Sequence, residues 1–142
     1  MFSGEQAHQL DAKNRIRIPS QFKLPENEEI VFCKGTTPCI YVLPKSAMDK
    51  MSEQFFSLSL FDEEAQESFS EFMSGVYTIQ PDAQGRYLLP QALKDYAHID
   101  KNVITVGVFN RLEIWSEEVK KERRKERSFS DNVKILQAKV SK

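Results

Sequence analysis

The chain has 142 residues, room for one ordinary domain and too few for two with full-sized cores. Hydrophobic residues at 40%, charged residues at 29%, 5 Gly and 6 Pro exclude collagen-like, low-complexity and wholly disordered chains. The net charge of -1 hides an asymmetry: residues 1 to 48 hold 6 basic and 5 acidic side chains, 49 to 72 hold 1 and 7, 73 to 118 hold 4 and 6, and 119 to 142 hold 9 and 3, so a local basic patch is compatible with a near-neutral total.

No stretch approaches the roughly 18 apolar residues of a membrane span, and MFSGEQAHQ lacks a basic-then-apolar signal pattern. A soluble, unexported protein with no membrane partner is expected. In chain order, Asp11-Ala12-Lys13-Asn14-Arg15 reads as a hairpin tip. Its aspartate can bond nearby N–H groups, and Asn14 suits the left-handed residue that closes a type I turn with a G1 bulge. Arg15-Ile16-Arg17-Ile18 then alternates with period two. Ile16 and Ile18 should face the core, and the two arginines should face outward about 7 Å apart. Pro19 is expected to end that strand and open a short helix, PSQFK.

Residues 30 to 47, IVFCKGTTPCIYVLPKSA, read as strand, turn, strand and helix, from β-branched and aromatic runs on either side of turn residues. Cys33 and Cys39 are too few for a disulfide framework and badly spaced for a zinc knuckle, so both are read as reduced packing residues. In the connector, DEEAQESFSEFMSG predicts a helix capped by Asp62, with acids in its first turn and Gly75 as its stop. Its stripe of Ala65, Phe69, Phe72 and Met73 is expected to pack on the core.

The second half reuses the same devices. Asp82-Ala83-Gln84-Gly85-Arg86 is another turn, Tyr87 and Leu89 should face inward with Arg86 and Leu88 outward, and Pro90 opens the helix PQALKDYA. Residues 103 to 119, VITVGVFNRLEIWSEEV, again read as strand, turn, strand and helix. Tyr41, Phe109, Ile114 and Trp115 fit strand patterns and belong to core or subunit interface. KKERRKERS at 120 to 128 is strongly basic, and Val133, Leu136 and Val140 fall on one face of a short helix; the tail as a whole is expected to be solvated. His8 and His98 have no Cys or His at ligand spacing, and no nucleotide, hydrolase or zinc fingerprint occurs. No enzyme, metal or cofactor is therefore expected.

A shift of 71 residues lays DAKNRIRIPSQFK (11 to 23) over DAQGRYLLPQALK (82 to 94), with five identities in thirteen positions. Two units of this size cannot each bury a core, so the halves should share one as a pseudo-twofold pair with interleaved strands. The expected divisions are a first repeat at 1 to 56, a helical connector at 57 to 78, a second repeat at 79 to 122 and a basic tail at 123 to 142. An arginine held beside its own aspartate on one turn is most simply a brace. Two copies keeping Asp, Arg and Pro around different turn residues favour an external use instead, such as the Arg fork reading guanine in a major groove.

The opening MFSGEQAHQLDAKNRIRIP, the second DAQGRYLLP and the closing VITVGVFNRLEIWS resemble the MraZ family, bacterial regulators of the division and cell-wall gene cluster, over the chain to about residue 125. The resemblance implies an α+β, β-rich fold: two tandem SpoVT/AbrB-type swapped-hairpin halves forming a pseudo-twofold β-barrel core with flanking helices. It also implies a DNA-binding repressor in the cytoplasm, associated with the nucleoid. That repressor would act on double-stranded DNA as a homo-oligomeric ring of eight or twelve copies, at tandem G-rich repeats upstream of its own operon. The family's D-x-x-x-R signature falls on Asp11 with Arg15 and on Asp82 with Arg86. With the neighbouring turn and strand residues, the expected DNA-binding set is Asp11, Lys13, Asn14, Arg15, Arg17, Asp82, Gln84, Gly85 and Arg86, with Lys13, Arg17 and Lys23 as the phosphate contacts. Asn14 stands where the family often has Gly, and Ala65, Ser68 and Ser70 stand among acids where it often has arginines. No DNA contact is assigned to the connector. The alternatives are an antitoxin-like protein-docking module and a loosely specific AbrB-like regulator.

Overall fold

The computed structural model describes residues 1–141. Eight strands and five α-helices follow in order: β1 Glu5–Gln9, β2 Arg15–Arg17, β3 Ile30–Lys34, β4 Ile40–Pro44, α1 Lys45–Ser52, α2 Glu63–Ser74, β5 Val76–Ile79, β6 Arg86–Leu88, α3 Gln91–Tyr96, β7 Asn102–Val108, β8 Arg111–Ser116, α4 Glu117–Arg124 and α5 Phe129–Val140. The fold is α+β. Six strands form one antiparallel sheet in the order β1-β7-β8-β4-β3-β5, while β2 and β6 pair as a separate two-stranded ribbon.

That order reads symmetrically about the β8–β4 pair, so each half lends its first strand to the other: β1 pairs with β7, and β5 with β3. The expected interleaving is present. Barrel closure is not, because β1 and β5 sit at opposite edges of the sheet and do not pair. The main core lies between one face of the sheet, the β2–β6 ribbon and α3. Ile16, Phe32, Ile40, Val42, Leu93, Val103, Leu112 and Ile114 are fully buried there. A smaller cluster on the other face gathers Val31, Cys33, Leu43 and Met48. Cys33 and Cys39 are unpaired and buried, and burial pushes their thiols up to about 11 and about 12.

Several expectations need correction. Each D-A-x-[N/G]-R turn closes as a hairpin tip, with Asp11 N–H donating to the Arg15 carbonyl at 3.0 Å and Asp82 N–H to the Arg86 carbonyl at 2.8 Å, but beyond the tip the arms diverge, the first joining the six-stranded sheet and the second the ribbon. Turn chemistry specifies the tip but not the partners of its arms. PSQFK forms no helix: a single turn from Phe22 N–H to the Pro19 carbonyl (2.9 Å) drops buried Phe22 into the core, and the chain then runs on to Pro25. Asp62 caps α2 as expected, accepting from Ala65 N–H at 3.1 Å, but its stripe does not reach the core. Phe69 and Phe72 stack only on Phe55, at 5.4 and 6.2 Å, and no residue of α2 is buried. The tail is helical, and nearly all of it is exposed to solvent. Ser116 caps α4, and Ser128 with Asp131 forms a reciprocal capping box at the start of α5. Phe109 lies at the β7–β8 turn with φ 60°, exposed rather than in the core.

Candidate nucleic-acid interface

Each turn is built by its aspartate. Asp11 Oδ1 accepts the backbone N–H groups of Lys13 and Arg15 at 2.9 and 3.0 Å, and Oδ2 accepts Arg15 Nε at 2.7 Å. Asp82 repeats the pattern, taking the Gln84 and Arg86 N–H groups at 2.9 Å each and Arg86 Nε at 2.9 Å. The backbone N–H groups, led by those of Arg15 and Arg86, and then the guanidiniums hold both carboxyls below the usual carboxylate range. Asn14 and Gly85 occupy the left-handed region at φ 61° and 77°, as the closing residue of such a turn requires.

The β2–β6 ladder sets Arg15 opposite Leu88, Ile16 opposite Tyr87 and Arg17 opposite Arg86, which brings the two turns together. Arg15 Nη1 lies 3.7 Å from Asp82, and Arg86 Nη1 lies 3.7 Å from Asp11. Four charges thus alternate across the pseudo-twofold axis. Arg15 and Arg86, expected to face outward, are thus tethered as well. Each guanidinium is fastened by Nε to the carboxylate that closes its own turn, and only 26% and 25% of the two side chains is exposed. The Nη1 ends are held looser, on the carboxylate of the other turn.

Gln84 links the two copies. Its carbonyl accepts Arg17 Nη1 and its Oε1 accepts Arg86 Nη2. Lys13 and Arg17 are exposed, as is Leu88. Two carboxylates here face four cations, Lys13, Arg15, Arg17 and Arg86, so the cluster is net positive on a chain whose total is -1. Every one of the nine residues expected from the sequence lies on these two turns or on the ribbon strand that follows.

Lys94 also joins this cluster, which sequence reasoning missed. It sits on α3, is 7% exposed, and donates its Nζ to Asn14 Oδ1 at 2.6 Å. The repeat carried the signal: a shift of 71 residues equates Lys94 with Lys23 and Asn14 with Gly85. Where the turn residue has a side chain, the lysine is buried on it. Where the turn residue is glycine, Lys23 stays exposed.

The family model of the MraZ protein, described as antitoxin-like, matches residues 1–69 and again residues 72–133. The chain belongs to the MraZ family. The second MraZ match begins 71 residues after the first, the same offset that aligns the two turns. Among its MraZ relatives, the protein named Transcriptional regulator MraZ of Finegoldia magna is 42% identical over 118 residues, covering 83% of this chain and 82% of the relative. That of Clostridium tetani is 41% identical over 118 residues, covering 83% of each chain. That of Carboxydothermus hydrogenoformans is 38% identical over 119 residues, 84% of this chain and 83% of the relative. The MraZ match stops at Val133, inside α5.

Proposed function

We propose that this chain is a DNA-binding transcriptional regulator and not an enzyme. It represses the division and cell-wall gene cluster to which its own operon belongs, as a ring-shaped homo-oligomer on tandem short G-rich repeats in the bacterial cytoplasm and nucleoid. The observation that carries the reading is the meeting of the two Asp–Arg turns across the β2–β6 ladder, which puts four cations on one edge of the molecule. The relatives named as transcriptional regulators support the same class.

The chemistry follows from the anchoring. A guanidinium held by Nε keeps its plane fixed and presents its two Nη groups, the fork that pairs with guanine O6 and N7. The side chain of Arg86 first has to release Gln84, an exposed partner. Lys13, Arg17 and Lys23 reach phosphates. Few phosphates are neutralised by one protomer, so affinity at one site is modest and strongly salt-dependent. Several protomers on tandem repeats raise it by roughly 10² to 10⁴ through effective concentration. DNA is stiff over about 150 bp, so a short operator engages several protomers only if the ring opens or deforms.

Mobility shift with the DNA upstream of its own gene tests this. Arg15→Ala with Arg86→Ala should abolish the specific shift. Arg17→Ala should weaken binding to all sequences alike and lower the salt slope by about 1. Unchanged binding by the double variant removes the turns from the mechanism. No binding by the unmodified protein favours an antitoxin-like docking module instead.

A further inference from the structure

Two exposed apolar faces remain unexplained by DNA binding. The first lies on the connector, where the 3-10 turn Glu53–Ser57 leads into α2: Phe56, Leu60 and Phe61 are 76%, 81% and 97% exposed, and Phe72 and Met73 of α2 are exposed as well. The second is α5, whose Phe129, Leu136 and Val140 are also largely exposed. A lone helix of twelve residues is marginal in water, yet α5 is capped from both sides of its capping box. Its stability has to come from something that covers its apolar face.

The charges say what covers it. Residues 49 to 72 carry 1 basic and 7 acidic side chains, and residues 119 to 142 carry 9 basic and 3 acidic. Among the described residues, none of Glu63, Glu64, Glu67 and Glu71 is in an ion pair, and neither are Lys120, Arg123, Arg127, Lys134 and Lys139. Where α4 meets α5 a hollow of about 210 Å³ is lined by Lys120, Arg123, Arg124 and Arg127 with one carboxylate, Glu126, and by Thr37, Trp115 and Asn132. The two surfaces lie on opposite halves of the sheet: α4 packs on β7 and β8, while the connector leaves through α1 and returns at the outer strand β5.

We infer that the acidic, apolar connector of one copy receives the basic α4–α5 arm of the next copy, with Leu136 and Val140 seated against Phe56, Leu60 and Phe61. The contact is head-to-tail, so it repeats from copy to copy and closes into a ring when the rotation allows. DNA cannot be the occupant of α5, because phosphates satisfy its lysines and leave its apolar face in water. The inference rests on the homo-oligomer reading above and names the surfaces that build it.

Light scattering on the full chain tests it with Phe61→Asp and Leu136→Asp, both at exposed positions whose folding is checked by circular dichroism. Each variant alone should fall from the wild-type mass to that of one chain. Mixed in equal amounts they should form a two-chain species and stop there, since each supplies the surface the other lacks. Charge reversal gives a second route: Glu63→Lys with Glu67→Lys, or Lys134→Glu with Lys139→Glu, should each reduce the mass, and all four together should restore it. Wild-type mass in either aspartate variant, or a mixture that stays at one chain, overturns the inference while leaving the oligomer intact. A wild-type protein of one-chain mass overturns the oligomer reading as well.

Discussion

Asn14 meets two demands at once. Its backbone takes the left-handed conformation the turn needs, and its side chain receives the buried Lys94 ammonium from the other half of the chain. On conformation alone, glycine would serve as well there as it does at Gly85. The lysine changes the outcome. Asn14→Gly should destabilise the protein by about 1–3 kcal/mol, because a buried donor loses its acceptor, and Asn14→Gly with Lys94→Met should recover most of that loss in urea unfolding. Equal stability of the wild type and the single variant would show that Lys94 finds water instead. The turn itself was legible in the spelling of Asp, Asn or Gly, and Arg. The arginines' tethering was not, since alternation tells which face a side chain takes and not which carboxylate waits within reach of Nε.

At the level of elements, the paired strands of each half were legible from their β-branched and aromatic runs, and so was the capped helix between the halves. Misreadings fell where tertiary partners decide. The stripe of Ala65, Phe69, Phe72 and Met73 has the period of a core-facing helix, and periodicity cannot distinguish a core from a neighbouring molecule. β1 is held from both ends in a way no local pattern announces. Gly107 on β7 donates to the Gly4 carbonyl at 2.8 Å, and a methyl group added there would lie 2.8 Å from the Ser3 carbonyl oxygen and 2.9 Å from the Phe2 carbonyl carbon. Gly107→Ala should therefore cost about 1–3 kcal/mol and lift residues 1 to 4 from the sheet. Hydrogen exchange at the Phe2 and Phe109 amides, which bond each other's carbonyls at 2.8 Å, should accelerate; unchanged protection would mean the strand shifts to accommodate the methyl.

For the molecule as a whole, the repeat disclosed two related halves, and their size required one shared core. Which strands cross over was beyond reach, because a period of two fits a strand to any neighbour of matching face. The crossing makes the halves interdependent. Fragments 1–60 and 62–142, produced separately, should each lack cooperative unfolding, whereas mixing them should restore the near-ultraviolet signal of buried Trp115 and Tyr87. A first fragment that melts cooperatively by itself would contradict this.

The pairing of His8 with Val103 spans most of the chain. During synthesis, the opening strand therefore has no hydrogen-bonding neighbour until β7 has left the ribosome, and neither the ribbon nor the outer edge at β3 can form before the second half appears. The first half must therefore stay open and unaggregated until then, a demand that the polar β1 with Glu5 and the charged segment Lys23, Glu26, Glu28 and Glu29 are suited to meet.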